Sequence, residues 1–129
     1  MDDLVVGEVP KQLPFNETWR GRTKEAALRV VSLYQKLPSS GEAQVIGKQL
    51  LRSATSVAAN FRAACRGRSN AEWYAKLCIC VEEADETLFW LELMGDAEIV
   101  PKKRLQSLEQ EYLEIVSVLA TSRKKAKPQ

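Results

Sequence analysis

The chain has 129 residues, of which 45% are hydrophobic and 28% are charged, with six glycines and five prolines. This composition suits one soluble domain around one core, and no apolar run approaches a membrane span of about 20 residues. The sequence contains no histidine, which excludes Ser-His-Asp and Cys-His catalysis and histidine-ligated metal sites.

The net charge of +2 is distributed very unevenly along the chain. Residues 41–68 carry five cations and one anion, whereas residues 69–100 carry one cation and eight anions. Residues 101–129 are basic again, with seven cations and three anions. Such separation is typical of charged surfaces that bind a partner or each other.

Residues 1–18 are predicted to form an extended leader, because Pro10 and Pro14 interrupt the segment and its apolar residues show no helical period. The acidic start lacks the basic region of a secretory signal. Three cysteines, an odd number, favour reduced thiols over a disulfide framework. We therefore expect a cytoplasmic protein.

The first two predicted helices are separated by Pro38. Apolar residues recur at steps of three and four from Ala26 to Leu37, which predicts a helix over about 19–36. Ser39 and Glu42 form a capping box that predicts the start of a second helix over about 42–66. Its predicted core positions are Ile46, Leu50, Ala54, Val57, Phe61, Ala64 and Cys65.

Two further helices follow. Ser69 and Glu72 form a second capping box, which predicts a third helix over about 70–95, and Pro101 suits the first turn of a fourth. The predicted core positions are Trp73, Leu77, Val81, Ala84, Leu88 and Leu91 in the third helix, and Leu105, Leu108, Tyr112, Ile115 and Leu119 in the fourth. The fold prediction is all-α: an antiparallel up-down-up-down four-helix bundle over residues 19–122, followed by a basic tail at 123–129.

A row of cations on the second helix is the main candidate site. These cations share one helical face, and the next turn and the tail extend the set: Lys48, Arg52, Arg62, Arg66, Arg68, Arg123, Lys124 and Lys125. One interpretation is a phosphate-contacting surface. The alternative is that the row pairs, within or between chains, with Glu72, Glu83 and Glu86 of the third helix.

Other chemistry is less well supported by the residues. The carboxylates near Glu82 and Glu92 lack the histidines of a di-iron bundle, so no metal or other cofactor is expected. Cys65, Cys78 and Cys80 and the aromatic residues Trp73, Tyr74 and Trp90 are read as core packing rather than as redox or base-stacking groups. With no phosphate loop or nucleophile motif, we predict no catalytic residues and no enzymatic activity.

Asn60 lies beside the apolar seam, where a polar amide needs a hydrogen-bond partner. We expect it to bridge the second helix to a neighbouring backbone, with contact to a ligand as the alternative.

One stretch of the chain resembles a known family. The segments are Arg52-Ser53-Ala54-Thr55-Ser56-Val57-Ala58-Ala59-Asn60, Arg66-Gly67-Arg68-Ser69, Glu72-Trp73 and Glu82-Glu83-Ala84-Asp85-Glu86. Together with Leu33-Tyr34 and Leu37-Pro38, they resemble the 23S rRNA intervening-sequence protein family, over about residues 25–120. The resemblance implies a cytosolic four-helix bundle that assembles as a homopentamer. It also implies kinship with the accessory variability determinant of diversity-generating retroelements, which binds nucleic acid and a reverse transcriptase.

The expected function is therefore a non-enzymatic, homo-oligomeric scaffold or accessory factor that contacts structured RNA or a nucleoprotein, with no membrane partner. The alternative is a protein-interaction module whose charged rows build only its own oligomer. The residues assigned to the oligomer interface are Asn60, Glu72, Glu83, Glu86 and Trp90.

Overall fold

The computed structural model describes residues 13–128, which form four α-helices joined by short turns and contain no strand. The helices are α1 (Leu13–Gln35), α2 (Gly41–Cys65), α3 (Asn70–Asp96) and α4 (Lys102–Ala126). Consecutive helices are antiparallel and pack against each other, whereas α1 and α4 approach each other over a shorter stretch. The predicted all-α four-helix bundle is confirmed. None of these helices combines the length and apolarity needed to cross a bilayer.

The core forms along the predicted helix faces. Every predicted core position of α3 and α4 is buried, and in α2 only Ile46 is half-buried among the predicted positions. The ring centroid of Phe61 lies 6.4 Å from that of Phe15 and 6.1 Å from that of Trp73, both in edge-on contacts. This aromatic cluster joins α1, α2 and α3.

The first helix begins earlier than predicted, at Leu13 rather than Trp19, so residues 13–18 are not an extended leader. Phe15 packs against Phe61 in this added stretch, and Asn16 is buried. Pro14 is tolerated because a first-turn residue has no intrahelical partner for its N–H. Residues 1–12 of the predicted leader lie outside the described residues.

The last helix also continues beyond its predicted end. Residues 123–126 of the predicted tail belong to α4, and Ala126 is buried. Asn70 Nδ2, at the start of α3, donates a hydrogen bond to the Ala126 carbonyl oxygen at 2.8 Å. This bond satisfies one of the carbonyl groups that a helix end leaves unpaired, so tertiary contact accounts for the added turn.

Two helix starts differ slightly from prediction. The N-cap of α2 is Ser40 rather than Ser39, and its side chain accepts a hydrogen bond from the backbone N–H of Ala43. Pro101 is the N-cap of α4 rather than a residue of its first turn. Both differences amount to one residue.

Two buried hydroxyl groups join α2 to α3. The hydroxyls of Ser53 and Thr87 share a hydrogen bond of 2.9 Å, and both residues are fully buried. Thr87 Oγ1 also lies 2.8 Å from the Glu83 carbonyl oxygen, and Ser53 Oγ lies 3.2 Å from that of Leu50. Because a buried hydroxyl without a partner is costly, this pair favours one register of the two helices.

A charged cluster spans α1 and α4. The Arg22 guanidinium donates to Glu111 at 2.8 Å and to Glu114 at 2.7 Å, and it stacks 4.3 Å from the ring centroid of Trp19. The hydrogen bond from Arg22 lowers the pKa of Glu114. The hydrogen bonds to Glu111 and Glu114 raise the pKa of Arg22 above its ordinary range. Long side chains thus bridge the seam where these two backbones pack least.

The two faces of α4 predict different costs of side-chain truncation. Leu119 is 0% exposed and Leu113 is 51% exposed. We expect Leu119→Ala to lower the free energy of unfolding by about 2–5 kcal/mol, because it leaves a cavity in the core. Leu113→Ala should cost less than about 1 kcal/mol. Urea unfolding followed by circular dichroism measures both, and equal losses would contradict the assigned core face.

Candidate nucleic-acid interface

Exposed cations from two parts of the sequence meet at one end of the bundle. Arg62 and Arg66 close α2, Arg68 lies in the following turn, and the last turn of α4 carries three more cations. The bond between Asn70 and Ala126 holds the end of α4 beside the start of α3 and so beside this turn. We call this region the basic end, and it comprises Arg62, Arg66, Arg68, Arg123, Lys124, Lys125 and Lys127.

The basic end is accessible and has few internal counter-charges. Its cations are exposed except for Arg123, which is half-buried. The salt bridge between Arg68 and Glu72, at 3.3 Å, is the one ion pair that the described residues form there. Because α2 and α4 both end here, the partial negative charge of their C-termini favours cations in these last turns.

The turn from α2 to α3 is rigidly capped. As predicted, Ser69 caps α3, and its Oγ accepts the backbone N–H of Glu72 at 3.2 Å. The Glu72 carboxylate accepts the backbone N–H of Arg68 at 2.7 Å, and this bond is the main cause of the lowered pKa of Glu72. Glu72 thus serves the cap of its own chain, which fixes Arg68 at the basic end.

Two members of the predicted basic row lie away from this end. Arg52 forms a salt bridge with Glu83 at 3.2 Å and another with Glu86 on α3. Hydrogen bonds to these two carboxylates raise the pKa of Arg52. Lys48 lies about 21 Å along α2 from Arg62, at 1.5 Å per residue. Arg52 therefore pairs with carboxylates of α3 in its own chain, as the alternative interpretation of the basic row predicted.

The remaining predicted interface residues have intrachain partners. Trp90 is half-buried, and its indole N–H donates to Glu86 at 2.9 Å. Asn60 Nδ2 donates to the Ser56 carbonyl at 2.9 Å and to the Ser56 hydroxyl at 3.0 Å. The expectation that Asn60 bridges to a neighbouring element is wrong, because the preceding turn of its own helix lies within reach.

The outer face of α3 exposes an aromatic side chain among acids. Phe89 is 51% exposed and contacts Trp90 edge-on, with ring centroids 4.9 Å apart. The acidic residues Glu82, Asp85 and Glu92 lie on the solvent-facing side of the same helix.

A groove that the sequence analysis missed runs between α1 and α2 and encloses about 620 Å³. It is lined by Glu17, Arg20, Gly21, Lys24 and Ala27 of α1, and by Thr55, Ala58, Ala59 and Arg62 of α2. The available signal was Gly21, a helix-weakening residue inside the predicted first helix.

The three cysteines lie in or beside the core. Cys65 and Cys80 are buried, Cys78 is half-buried, and burial raises the pKa of the Cys80 thiol to about 12, which suppresses its reactive thiolate. No group of three potential metal ligands occurs among residues 13–128. Trp73 packs in the core against Phe61.

Comparisons with known proteins place the chain among helical bundles of unknown function. The model of a family described as 23S rRNA-intervening sequence protein matches residues 16–121. The chain is also similar to a solved protein of unknown function from the S23 ribosomal protein family of Bacteroides thetaiotaomicron. The two are 35% identical with a TM-score of 0.79, over 84% of this chain and 97% of that one. No curated protein matches the sequence. Neither description names an enzymatic activity.

The Glu86 carboxylate predicts a specific acid sensitivity. Hydrogen bonds from Trp90 and from Arg52 lower the pKa of Glu86. The ionised form therefore stabilises the fold above the unfolded-state pKa of about 4.3, and this stabilisation is lost as pH falls through the lower folded-state value. We expect Glu86→Gln to be less stable than wild type at pH 7, with the difference closing towards pH 3.

The matched control has the opposite sign. Burial, with repulsion from Glu92 and Asp96, raises the pKa of Glu109, so its ionised form destabilises the fold at neutral pH. Glu109→Gln should be more stable than wild type at pH 7 and should lose that advantage in acid. Urea midpoints across the pH range measure both variants, and parallel curves would contradict the assignment.

Proposed function

The chain belongs to the 23S rRNA-intervening sequence protein family, and from this premise we propose that it is a cytoplasmic, non-enzymatic scaffold that binds structured RNA through its basic end. The observation that carries the proposal is the convergence of cations from α2, its following turn and α4 on one accessible surface. As the resemblance implies, the scaffold is a homo-oligomer, most simply a homopentamer.

The arrangement suits a phosphate backbone. Arg62 and Arg66 lie one helical turn apart on α2, and Arg68 is held in the capped turn beside them. Arginine can donate two parallel hydrogen bonds to a phosphate, and each contact releases a condensed counterion from the nucleic acid. The flexible lysines of α4 add charge without requiring a fixed geometry.

Self-assembly would strengthen this binding. The net charge of each chain, +2, is small. An oligomer presents several basic ends at once, so the second and later contacts to one RNA become intramolecular. Structured RNA provides phosphates at the fixed separations that such an array requires. A nucleoprotein carrying that RNA is bound through the same contacts.

Salt dependence tests the proposal. We expect a labelled RNA hairpin to bind with an affinity that falls linearly in a plot of log affinity against log salt. Arg66→Ala should weaken binding and reduce the slope by about 0.7–0.9, because one phosphate contact is lost. Fluorescence anisotropy measures affinity, and light scattering on the same samples confirms an unchanged oligomer.

Two control variants sharpen this test. Arg52→Ala should keep the wild-type slope, because Arg52 is engaged with Glu83 and Glu86. Lys103→Ala should also keep it, because Lys103 is exposed at the opposite end of the bundle. The proposal fails if the hairpin does not bind at low salt, or if all three substitutions reduce the slope equally.

A second candidate is a protein-interaction module that uses its charged surfaces only to build its own oligomer. The half-exposed Phe89 on the acidic outer face of α3 favours it. That face is complementary in charge to the outer face of α2, which carries Lys48 and Arg66. Contact between unlike faces of successive copies generates a ring when the rotation between copies closes.

Light scattering distinguishes this assembly surface. We expect Phe89→Asp to shift the protein towards the 14.5 kDa monomer, because it removes the apolar anchor and adds an unpaired charge to the interface. Leu113→Asp is the matched control, since Leu113 is equally exposed on α4. Oligomers of unchanged mass in Phe89→Asp would rule out the outer face of α3 as the assembly surface.

A further inference from the structure

The groove between α1 and α2 contains a glycine that the isolated bundle does not require. Gly47 is explained by packing, because a Cβ there would lie 2.5 Å from Leu37 Cδ1. A Cβ on Gly21 would meet nothing within 4 Å. Glycine in a helix interior is destabilising relative to alanine. Within one chain, no packing contact therefore offsets the cost of Gly21 to helix stability. Close packing of another molecule against this position would offset that cost.

The floor of the groove is small and offers few hydrogen-bond donors. Its small lining residues are Gly21 and Ala27 of α1 and Ala58 and Ala59 of α2. Thr55 is the one hydroxyl residue in the lining, and its Oγ1 lies 2.8 Å from the Leu51 carbonyl oxygen in its own helix. Small side chains let a neighbouring helix approach closely.

The rim of the groove is mainly basic. Arg20 and Lys24 stand on α1 and Arg62 on α2, with Glu17 as the one acid in the lining. Leu28, which is 51% exposed, follows Lys24 by one turn and Gly21 by two, so it extends the same face of α1. An occupant that complements this surface carries an apolar stripe flanked by carboxylates.

The length of the groove also suits a helix. Its lining extends from Glu17 to Ala27 on α1, about 15 Å at 1.5 Å per residue. We propose that this groove docks an acidic amphipathic helix of a partner protein, in the helix-in-groove mode. The partner places small or aliphatic residues over Gly21 and Ala58, and its carboxylates pair with Lys24 and Arg62.

A pair of synthetic peptides tests the partner chemistry. The first is an 18-residue capped helix with an alanine and leucine stripe flanked by glutamates, and the second replaces every glutamate with lysine. We expect the full-length protein to bind the acidic peptide at least ten times more tightly, as measured by fluorescence anisotropy. Lys24→Glu should weaken the acidic peptide and strengthen the basic one, an exchange that mere loss of structure would not produce.

Two glycine substitutions test the position. Gly21→Leu fills the groove and should weaken the acidic peptide at least tenfold while keeping or raising the melting temperature, because leucine favours the helix. Gly41→Leu is the matched control, since its Cβ also enters open space, at the start of α2. It should leave peptide binding unchanged.

Several outcomes would overturn the proposal. These are failure of the acidic peptide to bind, equal binding of both peptides, or equal effects of the two glycine substitutions. If Gly21→Leu lowers the mass of the protein alone in light scattering, the occupant is a second copy of this chain. If it weakens the RNA hairpin but not the peptide, the occupant is nucleic acid. The RNA test with Arg66→Ala stands independently of each outcome.

Discussion

The register of α2 against α3 depends on a pair of buried hydroxyl groups. Ser53 and Thr87 are fully buried, and their hydroxyl oxygens lie 2.9 Å apart in a hydrogen bond between the two helices. A charged residue directly precedes each of them in the sequence: Arg52 precedes Ser53, and Glu86 precedes Thr87. The hydroxyl pair therefore also aligns Arg52 with its carboxylate partners. Buried polar contacts of this kind select one packing among similar alternatives more than they add stability.

That alignment divides the cations into two groups. In the middle of α2, Arg52 is neutralised by α3 of the same chain, and this cluster includes the indole N–H of Trp90 through Glu86. At the end of α2, the acidic part of α3 is several turns away, and Glu72 is engaged by the turn that it caps. The middle of α2 therefore pairs its charge within the chain, whereas the C-terminal end of α2 presents accessible charge.

The three exposed surfaces of the bundle differ in chemistry and so can act separately. The basic end offers exposed guanidinium and ammonium groups. The outer face of α3 offers Phe89 within an acidic field, and the groove between α1 and α2 offers a small apolar floor with a basic rim. Arg62 belongs to both the basic end and the groove, so ligands at these two surfaces would influence each other there.

The helical pattern by itself determined the architecture. Apolar residues at steps of three and four identified the buried faces of α3 and α4, and the Ser69–Glu72 capping box located the start of α3, because these signals are local. The resemblance to the family also lay in short segments readable without a structure. Helix ends were less predictable: Phe15 and Ala126 extend α1 and α4 through contacts with distant residues.

Only the tertiary structure decided which charges remain accessible. Arg52 and Arg66 occupy one face of α2 and are indistinguishable by spacing, yet one lies opposite two carboxylates and the other lies beyond them. The groove likewise required two helices, since its lining comes from both α1 and α2. The physical reason is that periodicity fixes the direction of a side chain about its own helix axis, whereas its neighbours depend on the axial register of the helices packed against it.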